Sequence, residues 1–242
     1  MPSATAPLSV GGTEVTLATV LPAAWAGMVR NDGRRYLGLQ VQSRSGDASR
    51  DLGWALEQVV AAGPGTSVVP TGLPGEGPRL QDLLDPAPIE VTVHQGFDFW
   101  TEGTEGLEDH DEQAIAAANE SVVPTARVAG VQSAYWCRMR ERSHLRWVLP
   151  EDEDPLLDAL SRLSVSGGLS LGEGTRFVGS FRAHGLLVPV WDLPHAMEAA
   201  ELEEPAVAFR ARLDEALADT APLSPEARRA RAGLVNRQLT LR

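Results

Sequence analysis

The strongest constraint on this 242-residue chain is that its landmarks occur twice, in the same order. Val20-Leu21-Pro22-Ala23-Ala24-Trp25 is echoed by Val131-Gln132-Ser133-Ala134-Tyr135-Trp136, Gly75-Glu76-Gly77-Pro78-Arg79 by Gly172-Glu173-Gly174-Thr175-Arg176, and Trp100 by Trp191. The separation shrinks along the chain because the first copy carries longer loops, notably around Pro64 to Pro74. Internal repetition means one structural unit built twice. The expectation is a disordered lead-in over 1–12, then two tandem repeats, 13–123 and 124–242, forming one compact unit with a groove where the copies meet. Clefts of that kind are favoured binding sites.

The periodicities within each copy agree. In the first, Val15, Leu17 and Leu21 read as one strand and Leu37, Leu39 and Val41 as another, with Asn31-Asp32-Gly33 as the hairpin turn between them. A helix follows from Ala48, capped by Asp47, with Leu52, Ala55, Leu56, Val59 and Val60 on one face. In the second, strands near 127–139 and 145–149 precede a helix with Asp154 as N-cap and Pro155 at its first position, its stripe being Leu156, Leu160 and Leu163. Ile89, Val91 and Val93 alternate, as do Phe177, Gly179 and Phe181, then Leu187, Pro189 and Trp191. Helices over 111–122, 205–218 and from Ser224 complete the pattern. The predicted class is α+β: two tandem pseudo-repeats of mostly antiparallel strands with helices packed on one face of the sheet.

Composition removes several function classes. All 21 basic residues are arginine, and isoleucine is scarce (Ile89, Ile115), a bias that fits a GC-rich coding sequence. With no lysine, a Walker A motif, a kinase ATP-pairing lysine and a Schiff-base lysine are excluded. One cysteine, Cys137, excludes an intramolecular disulfide and any multi-cysteine metal site within the chain. The net charge of −12 opposes general nucleic-acid binding. No apolar run suits a membrane span and the N-terminus does not read as a signal peptide, so the expected setting is the cytoplasm, without membrane contact. No cofactor or metal is expected.

The residues that carry chemistry are sparse. The segment from Ser166 to Arg176 is glycine-rich and reads as a linker ending in a tight turn rather than an anion cradle, because a strand follows it. Arg176, Arg182, His184, Trp191 and Asp192 cluster around one predicted hairpin; Arg176 and Arg182 are six apart, hence on one strand face, with Phe177 and Phe181 on the other. Arginine forks suit carboxylates and phosphates, so these five, with Arg79 from the equivalent segment of the first copy, are the candidate ligand residues. Ser180, His184 and Asp192 have the composition of a triad but no nucleophile elbow surrounds Ser180. Asp109-His110-Asp111-Glu112 has metal-ligand chemistry but precedes a helix, where acids complement the dipole. His94, His144 and His195 have no paired spacing. Arg138, Arg140, Arg142 and Arg146, near Tyr135, Trp136 and Trp147, form a basic stripe of RNA-binding character, countered by Glu151 to Asp154; Arg228, Arg229, Arg231 and Arg237 form a second.

Several stretches resemble an uncharacterised actinobacterial family: Arg79 to Pro86, Ala134 to Cys137, His144 to Val148, Leu171 to Arg176, Gly179 to Gly185, Pro189 to Pro194 and Asn236-Arg237-Gln238. Members of that domain-of-unknown-function family are often fused to an N-terminal SEC-C zinc motif and labelled SecA-like. This chain departs from that pattern, Cys137 being its only cysteine. The resemblance implies no particular activity. The reading that results is a binding or adaptor protein for a protein partner or a small anionic ligand. The alternatives are an enzyme of unfamiliar type acting on an anionic substrate through Arg176, Arg182, His184 and Asp192, or an RNA- or ribosome-associated protein.

Overall fold

The computed structural model describes residues 1–41, 45–102, 109–139, 141–236 and 239–240, side chains excepted at 109–111 and 239–240. The fold is α+β, with two sheet-containing halves consistent with pseudo-repeats, and it divides into compact units Met1–Val123 and Pro124–Arg242. Among the described residues, no helix is long and apolar enough to cross a membrane.

The first unit contains strands β1 (Ser3–Val10), β2 (Thr13–Val20), β3 (Gly27–Val29), β4 (Arg35–Gln40), β5 (Thr66–Val68) and β6 (Thr92–His94), and helices α1 (Ala48–Ala61), α2 (Leu80–Leu83) and α3 (Asp109–Glu120). The spatial order is β5-β3-β4-β2-β1-β6, with every pair antiparallel except β2–β4. Alternation sends Leu8, Val15, Val29 and Leu37 to one face, where Leu52, Ala55, Leu56 and Val59 of α1 meet them. The opposite face carries Ala18, Met28 and Tyr36 and is closed by Phe97, Phe99 and Trp100 from a helical turn, with Ile115 and Ala118 of α3. This sheet is therefore covered on both sides, not on the single face expected.

Residues 1–12 are not a disordered lead-in: β1 lies inside the sheet, between β2 and β6, with Ala4, Ala6 and Leu8 buried. Pro7 disguises the strand. The Ala4 N–H points toward Thr19 on β2, so by alternation the Pro7 nitrogen faces the other side, where β6 pairs only with Ser3–Thr5. A missing donor is tolerated on such an open stretch. The Asn31–Gly33 turn exists, but it joins β3 to β4; the unforeseen β3 turns the chain back, so β2 and β4 run parallel. Leu39 is exposed, and Ile89 and Val91 lie outside β6 on the surface.

Asp47 caps α1 as expected, accepting from the Arg50 N–H at 3.1 Å. The Gly75–Arg79 segment lies directly on this helix: Arg50 donates to the carbonyls of Gly75 and Pro78 (2.8 and 2.9 Å). A Cβ at Gly53 would sit 2.5 Å from the Pro78 oxygen, which is why a helix interior carries glycine there.

The second unit contains β7 (Thr125–Arg127), β8 (Ala134–Met139), β9 (Arg142–Trp147), β10 (Arg176–Ala183), β11 (Leu186–Leu193) and a two-residue β12 (Leu239–Thr240), in the order β12-β10-β11-β9-β8-β7. Helices α4 (Glu153–Ser166), α5 (Glu203–Ala218) and α6 (Pro225–Asn236) all contribute to one core with Trp136, Leu145, Trp147, Leu187, Trp191 and Leu193. Here the single-face arrangement holds within the unit. Leu156, Leu160 and Leu163 form the expected stripe, but α4 begins two residues early, with Asp152 at the cap position and Pro155 at the third helical position. Proline fits anywhere in the first turn, where backbone N–H groups have no intrahelical acceptor.

Trp191 is fully buried against Trp147, Phe177 and Phe209, and its indole donates to the Leu169 carbonyl at 2.7 Å. Trp100, Trp136 and Trp147 likewise donate to the carbonyls of Val20, Met197 and Gln132. The paired tryptophans occupy different local structure. Trp100 ends a helical turn and Trp25 follows one in extended conformation, whereas Trp136 and Trp191 are mid-strand.

Candidate functional site

Strand β9 reads Arg142-Ser143-His144-Leu145-Arg146-Trp147. Ser143, Leu145 and Trp147 are buried toward the helices, so alternation turns Arg142, His144 and Arg146 to the opposite face. Cross-strand register extends that face across four strands: Cys137 of β8 lies opposite His144, His144 opposite Asp192 of β11, and Asp192 opposite Arg176 of β10. Within this unit, no described helix packs against the row.

Asp192 is the hub. Its Oδ2 accepts from Arg142 Nη1 at 2.8 Å and from Arg176 Nη2 at 2.9 Å, and its Oδ1 lies 3.1 Å from His144 Nδ1. Burial pushes the Asp192 carboxyl up, but the Arg176 hydrogen bond and the charges of His144 and Arg142 outweigh it, leaving its pKa below the ordinary aspartate value. The arginines themselves stay in solvent: the side chains of Arg142 and Arg176 are 62% and 70% exposed. Arg146 is exposed too; its guanidinium reaches only the Met139 sulfur at 3.6 Å, and it has no carboxylate partner among the described residues. Two arginines thus meet one carboxylate, and a third, Arg146, lies on the same face of β9. Cys137 is buried, and burial pushes its thiol pKa up despite nearby Arg146, the reverse of an activated nucleophile.

The six candidate residues do not converge. Arg176 and Asp192 meet as described. Arg182 is on the other side of the sheet, because β10 and β11 slip register between Phe177 and Gly179: Arg176 pairs with Asp192, but Arg182 pairs with Leu187, which belongs to the helix-facing core. The slip is a β-bulge, and Gly179 at φ 144° supplies a backbone conformation that other residues resist. Arg182 there forms a two-pronged pair with Glu153 at the start of α4. The same bulge separates Phe177, which packs against Trp191 in the core, from Phe181, opposite Val188 on the arginine-bearing face. His184, at φ 50°, is exposed at the β10–β11 turn. Trp191 is fully buried and presents nothing to a ligand. Arg79, in the first unit, pairs with Asp47 at 2.7 Å.

Apart from Arg142 and Arg146, the described members of the basic stripes are tied into structure. Arg138 points to the helix side, stacked over Trp136 and paired with Glu198 at 2.6 Å. Arg231 bridges Asp154 and Asp158, and Arg229 meets Glu226. Arg140 and Arg237 lie outside the described residues, as do the side chains of Asp109, His110 and Asp111. Among described residues, no group of three or more His, Cys, Asp or Glu side chains is placed to hold a metal ion. His144 and Arg142 were legible as site residues only through the alternation of β9, a signal that sequence spacing of histidines does not use.

The whole chain, residues 1–242, matches a family of unknown function, DUF5926. The protein belongs to that family. No curated protein and no solved structure matches it. Membership of DUF5926 assigns no chemistry to the chain.

Proposed function

We propose that this protein is a non-catalytic binding protein whose Arg142–Arg146–Arg176 face takes up an anionic group, a carboxylate or phosphate, carried by a partner or a small ligand. The observation that supports the reading is exposed Arg142 and Arg176 sharing a single carboxylate, with exposed Arg146 on the same strand face, on a chain whose net charge is −12. Arginine so placed against the overall charge is available to recognise an anion, and Asp192 holds two of the three guanidinium groups in position beforehand. The overall negative charge favours a compact anion over a long polyanion, whose many phosphates meet the repulsion of the whole chain. On the same reading the protein works in the cytoplasm, a setting that fits its one free, buried thiol.

Titration of the full chain with citrate, inorganic phosphate and a short acidic peptide, at low and at high salt, tests this. Binding of at least one probe is expected, weakened by salt and by about tenfold or more in the Arg142→Ala/Arg146→Ala/Arg176→Ala variant, roughly the loss of one charge-assisted hydrogen bond. No binding by any probe, or affinity unchanged in the triple variant, sinks the proposal. Tighter binding of a short single-stranded RNA than of every probe transfers the face to nucleic acid and overturns the compact-anion reading.

A further inference from the structure

Beside the row that contains Asp192, the same sheet face carries another. Register sets Arg127 of β7 opposite Tyr135 of β8, Tyr135 opposite Arg146 of β9, and Arg146 opposite Val190 of β11. Ala134 and Trp136, the neighbours of Tyr135, are buried in the helix-side core, so alternation turns Tyr135 outward with Arg146. The Cβ atoms of directly opposed residues lie about 5 Å apart. Tyr135 therefore stands between two arginines, and both are exposed.

The ring is not tied into the fold. Four tryptophans bond their indoles to carbonyls, and the Tyr36 hydroxyl donates to the Phe99 carbonyl. Tyr135 is only partly buried, and its side chain makes no hydrogen bond or ring contact among the described residues. The Arg127 side chain has no partner among them either. Tyr135 on β8 and Asp192 on β11 are separated by β9 and lie in adjacent rows, about 10 Å apart across the sheet. A ligand that engages both the ring and the arginines on Asp192 thus carries its anion away from its flat part, with a spacer between. A nucleoside monophosphate is built in that way: a base, a sugar and a compact phosphate.

We infer that the anion taken up by this face is the phosphate of a nucleoside monophosphate, whose base stacks on Tyr135 between Arg127 and Arg146 while the phosphate accepts from Arg142 and Arg176. Every base has an aromatic face, and tyrosine rings and guanidinium planes both serve as platforms for it. This base platform rests on the anion-binding reading of the same face and adds the ring that the anion carries. A single nucleotide is favoured over a polymer, whose many phosphates meet the repulsion of a chain of net charge −12.

Calorimetric titration of the full chain with AMP, ribose 5-phosphate, adenosine and phenyl phosphate tests the assignment. AMP is expected to bind about tenfold or more tightly than ribose 5-phosphate, the difference being one stacked base. Adenosine, without the phosphate, and phenyl phosphate, without the spacer, are expected to bind more weakly than AMP. Tyr135→Ala should bring AMP down to the affinity of ribose 5-phosphate and leave ribose 5-phosphate unchanged, which also shows the variant to be folded. Tyr135→Leu, which keeps apolar bulk but no ring, should do the same, whereas Tyr135→Phe should hold AMP within about twofold. Equal binding of AMP and ribose 5-phosphate, with both lost in the Arg142→Ala/Arg146→Ala/Arg176→Ala variant, overturns the base platform and leaves the anion face standing. Unchanged AMP affinity in Tyr135→Leu, or adenosine or phenyl phosphate binding as tightly as AMP, overturns the platform as well. Absence of AMP binding overturns it whatever citrate or inorganic phosphate does.

Discussion

The two units solve the same problem differently. The first buries both faces of its sheet, with α1 on the Leu37 side and the Phe97–Trp100 turn and α3 on the Tyr36 side. The second places α4, α5 and α6 on the Trp191 side, and the residues turned the other way include Arg142, His144, Arg146 and Asp192. A sheet face closed by aromatic residues has no room for exposed charge, whereas one left free of the unit's own helices can present it. The unit with the one-sided core is therefore the one to search for a binding face.

That contrast is most strongly tested in the cores. Trp191→Ala should destabilise the second unit by about 3–5 kcal/mol, and Phe97→Ala the first by a similar amount, since both side chains are fully buried. Phe181→Ala, on the arginine-bearing face, should cost about 1 kcal/mol or less in denaturant unfolding, because Phe181 is only partly buried. A loss as large as that of Phe97→Ala would show the two units to be alike after all.

Arginine sharpens the comparison at intermediate size. In the first unit Arg50 is nearly buried and ties down Gly75 and Pro78, so Arg50→Ala should cost about 2 kcal/mol. In the second, Arg142→Ala removes an exposed ion pair and should cost about 0.5 kcal/mol or less. Equal losses would mean that the arginine face is structural.

The smallest effect is on pH dependence. Asp192 has a lowered pKa in the folded protein, so its contribution is present above the unfolded aspartate value and is lost as pH falls through the folded one. Asp192→Asn should therefore be modestly less stable at neutral pH and converge on the parent in acid, below about pH 4. A difference that persists at low pH would point to packing rather than charge.

Local signals were legible in the residues alone. The Asp47 cap, the stripe of α4 and the Asn31–Gly33 turn each depend on neighbours a few positions away, and all three are present. The exclusion of lysine chemistry needed composition only. Pairing was decided by tertiary structure: β1 became a strand because β2 and β6 supply partners on either side, and β3 reversed the direction of the next strand. The candidate site divided for the same reason. Strand alternation put Arg176 and Arg182 on one face, and a single bulge at Gly179 moved them to opposite faces. A bulge is fixed by what the adjacent strand requires, a contact between residues far apart in sequence, so the chain by itself does not announce it.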